Sequence, residues 1–173
     1  MGKKVLFIVP PDRFNDDELF IPKGILENAG IEVTISSLNK GEITGDNKGT
    51  AVAEALFSEV PAADYDAVSV IGGSGTPDYL WGNEQLIDYL KQAYEQKVLV
   101  TGICAGSVAV AQTGLLSGRP AACYPVDSQI NELQARNVEY AGSQHVVAHD
   151  DIITGDGPDG AQQFGESLVK ALS

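Results

Sequence analysis

Residues 98–112 read VLVTGICAGSVAVAQ, and the interpretation of this stretch decides the fold. Val98-Leu99-Val100-Thr101-Gly102-Ile103 is short, β-branched and uncharged, as a strand buried on both faces should be. From Ala105 to Gln112 the chain is rich in Ala and Val and reads as a buried helix. Cys104 lies between them in the context Gly102-Ile103-Cys104-Ala105-Gly106. This is a G-x-C-x-G form of the nucleophile elbow, a sharp strand-to-helix turn that lifts one side chain to the carboxyl end of a strand. Glycines on either side let the chain turn where a Cβ would clash. A sulfur placed there meets unpaired N–H groups and the positive end of the helix, both of which favour a thiolate. The plainer meaning is a small cysteine packed behind a strand, but the strand, glycine and helix context favours a reactive thiol.

Working outward, buried strands alternate with helices. Residues 4–9 form a first strand, 15–29 a helix capped by Asn15 or Asp16 and stopped at Gly30, and 31–37 a second strand. This β-α-β unit implies parallel strands with a right-handed crossover. Pro22 falls early in the helix, where a kink is tolerated. Residues 39–50, polar and glycine-rich, read as an exposed hairpin, and 51–60 is ambiguous between strand and helix. Residues 67–71 form another buried strand that ends in Gly72-Gly73-Ser74-Gly75, and 83–96 an amphipathic helix. Beyond the elbow, 119–125 is extended and 126–136 a surface helix. Residues 138–141 and 146–148 are short strands, read as a hairpin around Gly142-Ser143; 152–154 is a last strand and 162–172 a closing helix. The order predicts one α/β domain over 1–173, doubly wound and flavodoxin-like, with helices on both faces of a mostly parallel sheet. Functional loops in such sheets gather at the carboxyl ends of the strands, here 10–18, 72–76 and 102–107.

Composition narrows the function. A hydrophobic content of 43% in 173 residues is enough to build a core. The net charge of −13 argues against nucleic acid and anionic membrane surfaces as partners, since both need clustered Lys and Arg. The N-terminal apolar run stops at Pro10-Pro11, too short for a signal segment, and two cysteines make no disulfide framework. A cytoplasmic location follows as the expectation, with Cys123 a packed core cysteine. No cofactor or metal is expected: the loop after the first strand, Pro10-Pro11-Asp12-Arg13, lacks the Ser, Thr and Gly of a flavin phosphate cradle.

A nucleophilic thiol needs support for its anion and for the charge that develops on a substrate. The N–H groups of Ala105 and of Gly72-Gly73 are the candidate oxyanion donors. Asp16, Asp17 and Glu18 all lie near the end of the first strand; one of them, turned inward, would be held protonated by burial and could donate to the sulfur. The residues alone do not choose among the three. His145 and His149 are distant from the elbow in sequence, and Tyr124 is a possible accessory group.

The elbow Gly102-Ile103-Cys104-Ala105-Gly106-Ser107, the strand at 67–73 with its Gly-Gly end, and Glu18 four residues before Pro22 together resemble the ThiJ/PfpI superfamily, over nearly the whole chain. The resemblance implies a flavodoxin-like sandwich, a homodimer or higher homo-oligomer, Cys104 as nucleophile and Glu18 as its protonated partner. It implies glyoxalase or deglycase action on small carbonyls of the methylglyoxal class, with redox sensing through Cys104 oxidation or peptidase and amidase action as alternatives. Many members place a histidine directly after the cysteine or in the later extended segment. Here Ala105 and Tyr124 stand at those places, which points away from a Cys-His dyad.

Overall fold

The computed structural model describes residues 2–173. In chain order β1 (Lys4–Ile8) leads through a three-residue strand β2 (Asp12–Phe14) into α1 (Asp16–Asn28) and back along β3 (Glu32–Ser37). A hairpin of β4 (Gly41–Gly45) and β5 (Thr50–Ala53) follows, then β6 (Ala55–Leu56). After two 3-10 turns come β7 (Ala67–Val70), the single turn α2 (Thr76–Tyr79), and α3 (Glu84–Glu95). The elbow is β8 (Leu99–Ile103) running into α4 (Ala105–Ala111). The remainder is β9 (Pro120–Ala121), α5 (Asp127–Ala135), β10 (Glu139–Tyr140), β11 (Val146–Ala148), β12 (Ile152–Gly155) and α6 (Ala161–Leu172).

The main sheet has the order β11-β12-β8-β7-β1-β3-β6, parallel except where β11 runs against β12. Its five central crossover strands, β3-β1-β7-β8-β12, give the flavodoxin-like order. Period-two alternation sorts the strand residues between two cores. Leu6, Ile8, Val68, Val70 and Val100 meet Leu86, Leu90, Val108 and Leu133 of α3, α4 and α5. Val5, Phe7, Ala67, Leu99 and Ile103 meet Leu19, Leu26, Phe164 and Leu168 of α1 and α6. The chain reverses direction across the sheet between β1 and β7, so the carboxyl ends of these strands open a crevice there. The elbow of the adjacent β8 projects into the same end.

Helix α1 runs unbroken through Pro22, and α6 approaches it so closely that a Cβ on Gly165 would press on the Pro22 backbone. Segment 51–60 resolves into β5, β6 and a 3-10 turn. Two expectations are corrected. Residues 138–148 are not a hairpin: β10 pairs in parallel with β9 and β11 pairs with β12, because strand partners distant in sequence satisfy both backbones. Helix α5 is not merely a surface helix, since Gln129 and Leu133, one turn apart, are buried. Among the described residues no helix is long and apolar enough to cross a membrane.

At the opposite end of the sheet, Arg119 grips Asp151 with two bonds of 2.8 and 3.2 Å, and the Tyr94 hydroxyl donates to the same carboxylate at 2.6 Å. The Arg119 guanidinium holds the Asp151 carboxyl well below its usual range, at about 2. A depressed carboxyl stabilises the fold above its unfolded value and loses that contribution as pH falls through the folded one. Both side chains are about one-third exposed, which limits the pair to about 1 kcal/mol. Arg119→Met should therefore lower the urea midpoint at pH 7. The difference from the parent should shrink as pH falls from the ordinary aspartate range toward 2; a pH-independent difference would contradict the assignment.

Candidate functional site

The elbow forms because backbone packing at the crevice excludes side chains. A Cβ on Gly106 would collide with the Val70 carbonyl, and one on Gly102 would fall 2.7 Å from the Gly106 carbonyl carbon. Without those Cβ atoms α4 starts directly on the ends of β7 and β8. The turn is tied by Cys104 N–H donating to the Gly155 carbonyl (2.9 Å) and by the Ser107 hydroxyl lying between the carbonyls of Gly155 (2.8 Å) and Gly102 (3.0 Å). Cys104 takes φ 60° and ψ −125°, a conformation that costs about 1–3 kcal/mol and is found where function requires it. Its sulfur points into the crevice, with the residue only 8% exposed.

Glu18 arrives from the first turn of α1. The Asn15 side chain caps that turn by accepting from Glu18 N–H (3.0 Å), which fixes the helix start. The helical rotation of about 100° per residue then separates the three acids. The carboxylate of Asp16 turns to the β4–β5 hairpin, accepting from Asn47 N–H (2.9 Å) and Gly49 N–H (2.7 Å); Asp17 faces solvent; and Glu18 points inward, fully buried. Glu18 Oε1 accepts from Gly72 N–H at 3.0 Å. Oε2 is buried without a conventional partner, and the polar group beside the carboxyl is the Cys104 sulfhydryl. Burial pushes the Glu18 carboxyl well above its usual range. Burial and then the Glu18 charge push the Cys104 thiol up, while Gln129 and Ala105 N–H pull it down. With the proton on Glu18 the opposing charge is gone and those two donors favour the thiolate.

Gln129 was not foreseen. Its Oε1 accepts from Tyr124 N–H (2.9 Å), which aims Nε2 at Cys104 Sγ, 3.5 Å away. The sequence signal was there: Gln129 shares the helical register of buried Leu133, so its amide had to find partners indoors. An amide donates to a thiolate but cannot accept its proton near neutral pH. Gln129→Leu should slow alkylation of Cys104 by iodoacetamide at pH 7 about tenfold, with the pH midpoint moved upward. An unchanged midpoint would show that the amide does not support the anion.

The other expected groups are placed as follows. Gly72 N–H is engaged by Glu18 and is thus not a free oxyanion donor. Gly73 N–H makes no hydrogen bond among the described residues and borders the cavity, and Ala105 N–H faces the sulfur. Tyr124 lines the mouth with its ring 41% exposed. His145 is held by Asp156 (2.8 Å) and His149 by the Pro120 carbonyl (2.8 Å); neither borders the cavity. Cys123 is buried, with its thiol pushed up to about 12 by burial. The cavity measures about 260 Å³ and is bordered by Asn15, Glu18, Asp46, Gly73, Ser74, Pro77, Cys104, Tyr124, Gln129 and Pro158. A larger groove of about 520 Å³, near Lys3, Asp66, Tyr94 and Asp151, lies at the other end of the sheet and holds no nucleophile. Among the described residues no group of three or more His, Cys, Asp or Glu is placed to hold a metal ion.

The fold and site define a flavodoxin-like protein with a nucleophile elbow and a buried cysteine–glutamate pair. The family model of the DJ-1/PfpI family matches residues 3–171, and the chain belongs to that family. It is 36% identical over 169 residues to the uncharacterized protein MJ0967 of Methanocaldococcus jannaschii, covering 98% of this chain and 82% of that one. It is 31% identical over 146 residues to the deglycase PH1704 of Pyrococcus horikoshii, covering 83% and 84%. Among solved structures, the ThiJ/PfpI domain protein of Brachyspira murdochii superposes with a TM-score of 0.93 at 29% identity, covering 99% of this chain and 98% of that one.

Proposed function

We propose that this protein is a cysteine-dependent enzyme acting on small reactive carbonyls of the methylglyoxal class, with Cys104 as nucleophile and Glu18 as its acid–base partner. The observation that carries the reading is the fully buried Glu18 beside a sulfur whose donors are an amide and a backbone N–H, with no imidazole in contact. Addition of a thiolate to an aldehyde has no leaving group to protonate, so this set suffices where amide cleavage would need more. The deglycase name carried by the Pyrococcus horikoshii relative supports the same chemistry.

The steps balance as follows. The Cys104 thiolate attacks the aldehyde carbon of methylglyoxal, forming the C–S bond, and the oxyanion, held by Gly73 and Ala105 N–H, takes the Glu18 proton to give a hemithioacetal. The Glu18 carboxylate then removes the hydrogen from that carbon and returns a proton to the neighbouring one through an enediol, leaving a lactoyl thioester. Water cleaves the thioester, releasing lactate and the thiol; the sum is methylglyoxal plus water to lactate. Glu18 cycles between acid and base, a role suited to a carboxyl raised toward neutral pH. This reading carries with it a reducing, cytoplasmic setting and a homo-oligomeric enzyme. Its test is stoichiometric lactate from methylglyoxal by the purified protein; no lactate from protein whose Cys104 still alkylates would overturn it.

A further inference from the structure

The turn of the β4–β5 hairpin carries Asp46 to the rim of the cysteine cavity, and nothing in the carbonyl chemistry uses it. Its position is fixed. Ser74 N–H donates to Oδ2 (2.9 Å) and the Ser74 hydroxyl to Oδ1 (2.5 Å), so both oxygens are held beside Gly73, the candidate oxyanion donor. The turn itself cannot swing away easily, because Asp46 N–H donates to the Phe14 carbonyl (2.7 Å) and Asp16 clamps the amides of Asn47 and Gly49.

No charge of opposite sign answers it. Among the described residues bordering the cavity there is no Lys, Arg or His. Arg13, from the neighbouring loop, turns its guanidinium to Asp78 (2.8 Å), Asp12 (3.4 Å) and the Ser74 carbonyl (3.3 Å). The field of Asp46 also reaches inward, since it adds to the upward push on the Glu18 carboxyl. A substrate therefore enters past a fixed carboxylate and meets a sulfur that is itself anionic when reactive. Two like charges at such a distance repel, the more so with no cation to screen them.

We propose that Asp46 is a specificity-determining residue: it makes the Cys104 site selective for uncharged α-oxoaldehydes and closes it to those bearing a carboxylate. The proposal rests on the carbonyl reading above for its substrates, but the charge filter is a property of the cavity and can be read without turnover. Because Asp46 is exposed at the rim, the filter weakens as ionic strength rises.

The test compares Cys104 alkylation by iodoacetamide, which is neutral, with that by iodoacetate, which is anionic, scored on the Cys104 peptide by mass spectrometry. The ratio of the two rates is normalised to that of β-mercaptoethanol. The parent protein should disfavour iodoacetate about fivefold more than the free thiol does at low salt, and less at high salt. Asp46→Asn should bring the ratio most of the way to the free-thiol value, and the kcat/KM of glyoxylate relative to methylglyoxal should rise in parallel. A parent ratio equal to that of the free thiol, or a ratio insensitive both to salt and to Asp46→Asn, would overturn the proposal. The salt arm uses the unaltered protein, so a poorly folded variant does not decide the matter. A shifted alkylation ratio in a protein that makes no lactate would sink the carbonyl reading and leave the charge filter standing.

Discussion

Cys104→Ala should abolish lactate formation from methylglyoxal, lowering kcat/KM about a thousandfold or more, while the protein still unfolds cooperatively. The expectation follows from the division of labour at the elbow. Every hydrogen bond that closes the turn runs through the Cys104 backbone or Ser107, so removing the sulfur leaves those ties in place. The chemistry has no substitute for it: Cys123 is buried with its thiol pushed up to about 12 and has no opening to the cavity. A variant that keeps full turnover would show that the carbonyl does not react at this sulfur.

Glu18→Gln separates support of the thiolate from proton transfer. Glutamine can still accept from Gly72 N–H and donate toward the sulfur, as the protonated acid does, so alkylation of Cys104 should persist. It cannot take a proton from carbon, so kcat should fall by about 10²–10⁴-fold. Stability should move the other way. A carboxyl whose folded value is raised stabilises the fold fully only below its unfolded value, and that contribution is lost as pH climbs through the folded value. The glutamine variant escapes this loss. Its melting temperature should match the parent's in acid and exceed it increasingly from the ordinary glutamate range upward. Equal melting temperatures at every pH would mean that Glu18 carries no such penalty. A stable but inactive variant is the usual pattern where an active site holds a strained or desolvated group.

What could be read from the chain alone follows how local each determinant is. The elbow was legible because a strand, two glycines and a helix sit within fifteen residues and each constrains the next. The parallel sheet was legible because buried strands alternated with helices. The pairing of 138–148 was not, since β9 and β12, the partners of β10 and β11, lie elsewhere in the chain. Among Asp16, Asp17 and Glu18, only resemblance chose Glu18; the physical reason is the helix phase set by the Asn15 cap, which sends one acid to the hairpin, one to water and one to the sulfur. Gln129 was hidden by a reading of its helix as surface, although its register with Leu133 marked it as inward-facing. Asp46 left no sequence signal. It lies in a polar turn without periodicity, and its importance comes from Asp16 and Ser74 docking that turn onto the crevice.

The central claim is that a carbonyl bonds covalently to a sulfur supported by Glu18 and Gln129. The most direct test is mass mapping of the protein, quenched with acid during turnover of methylglyoxal. The account predicts that the peptide containing Cys104 carries the mass of one added methylglyoxal, that the Cys123 peptide is unmodified, and that the adduct accumulates in proportion as hydrolysis is slowed. Lactate accumulating while the Cys104 peptide stays unmodified at every quench time would contradict it.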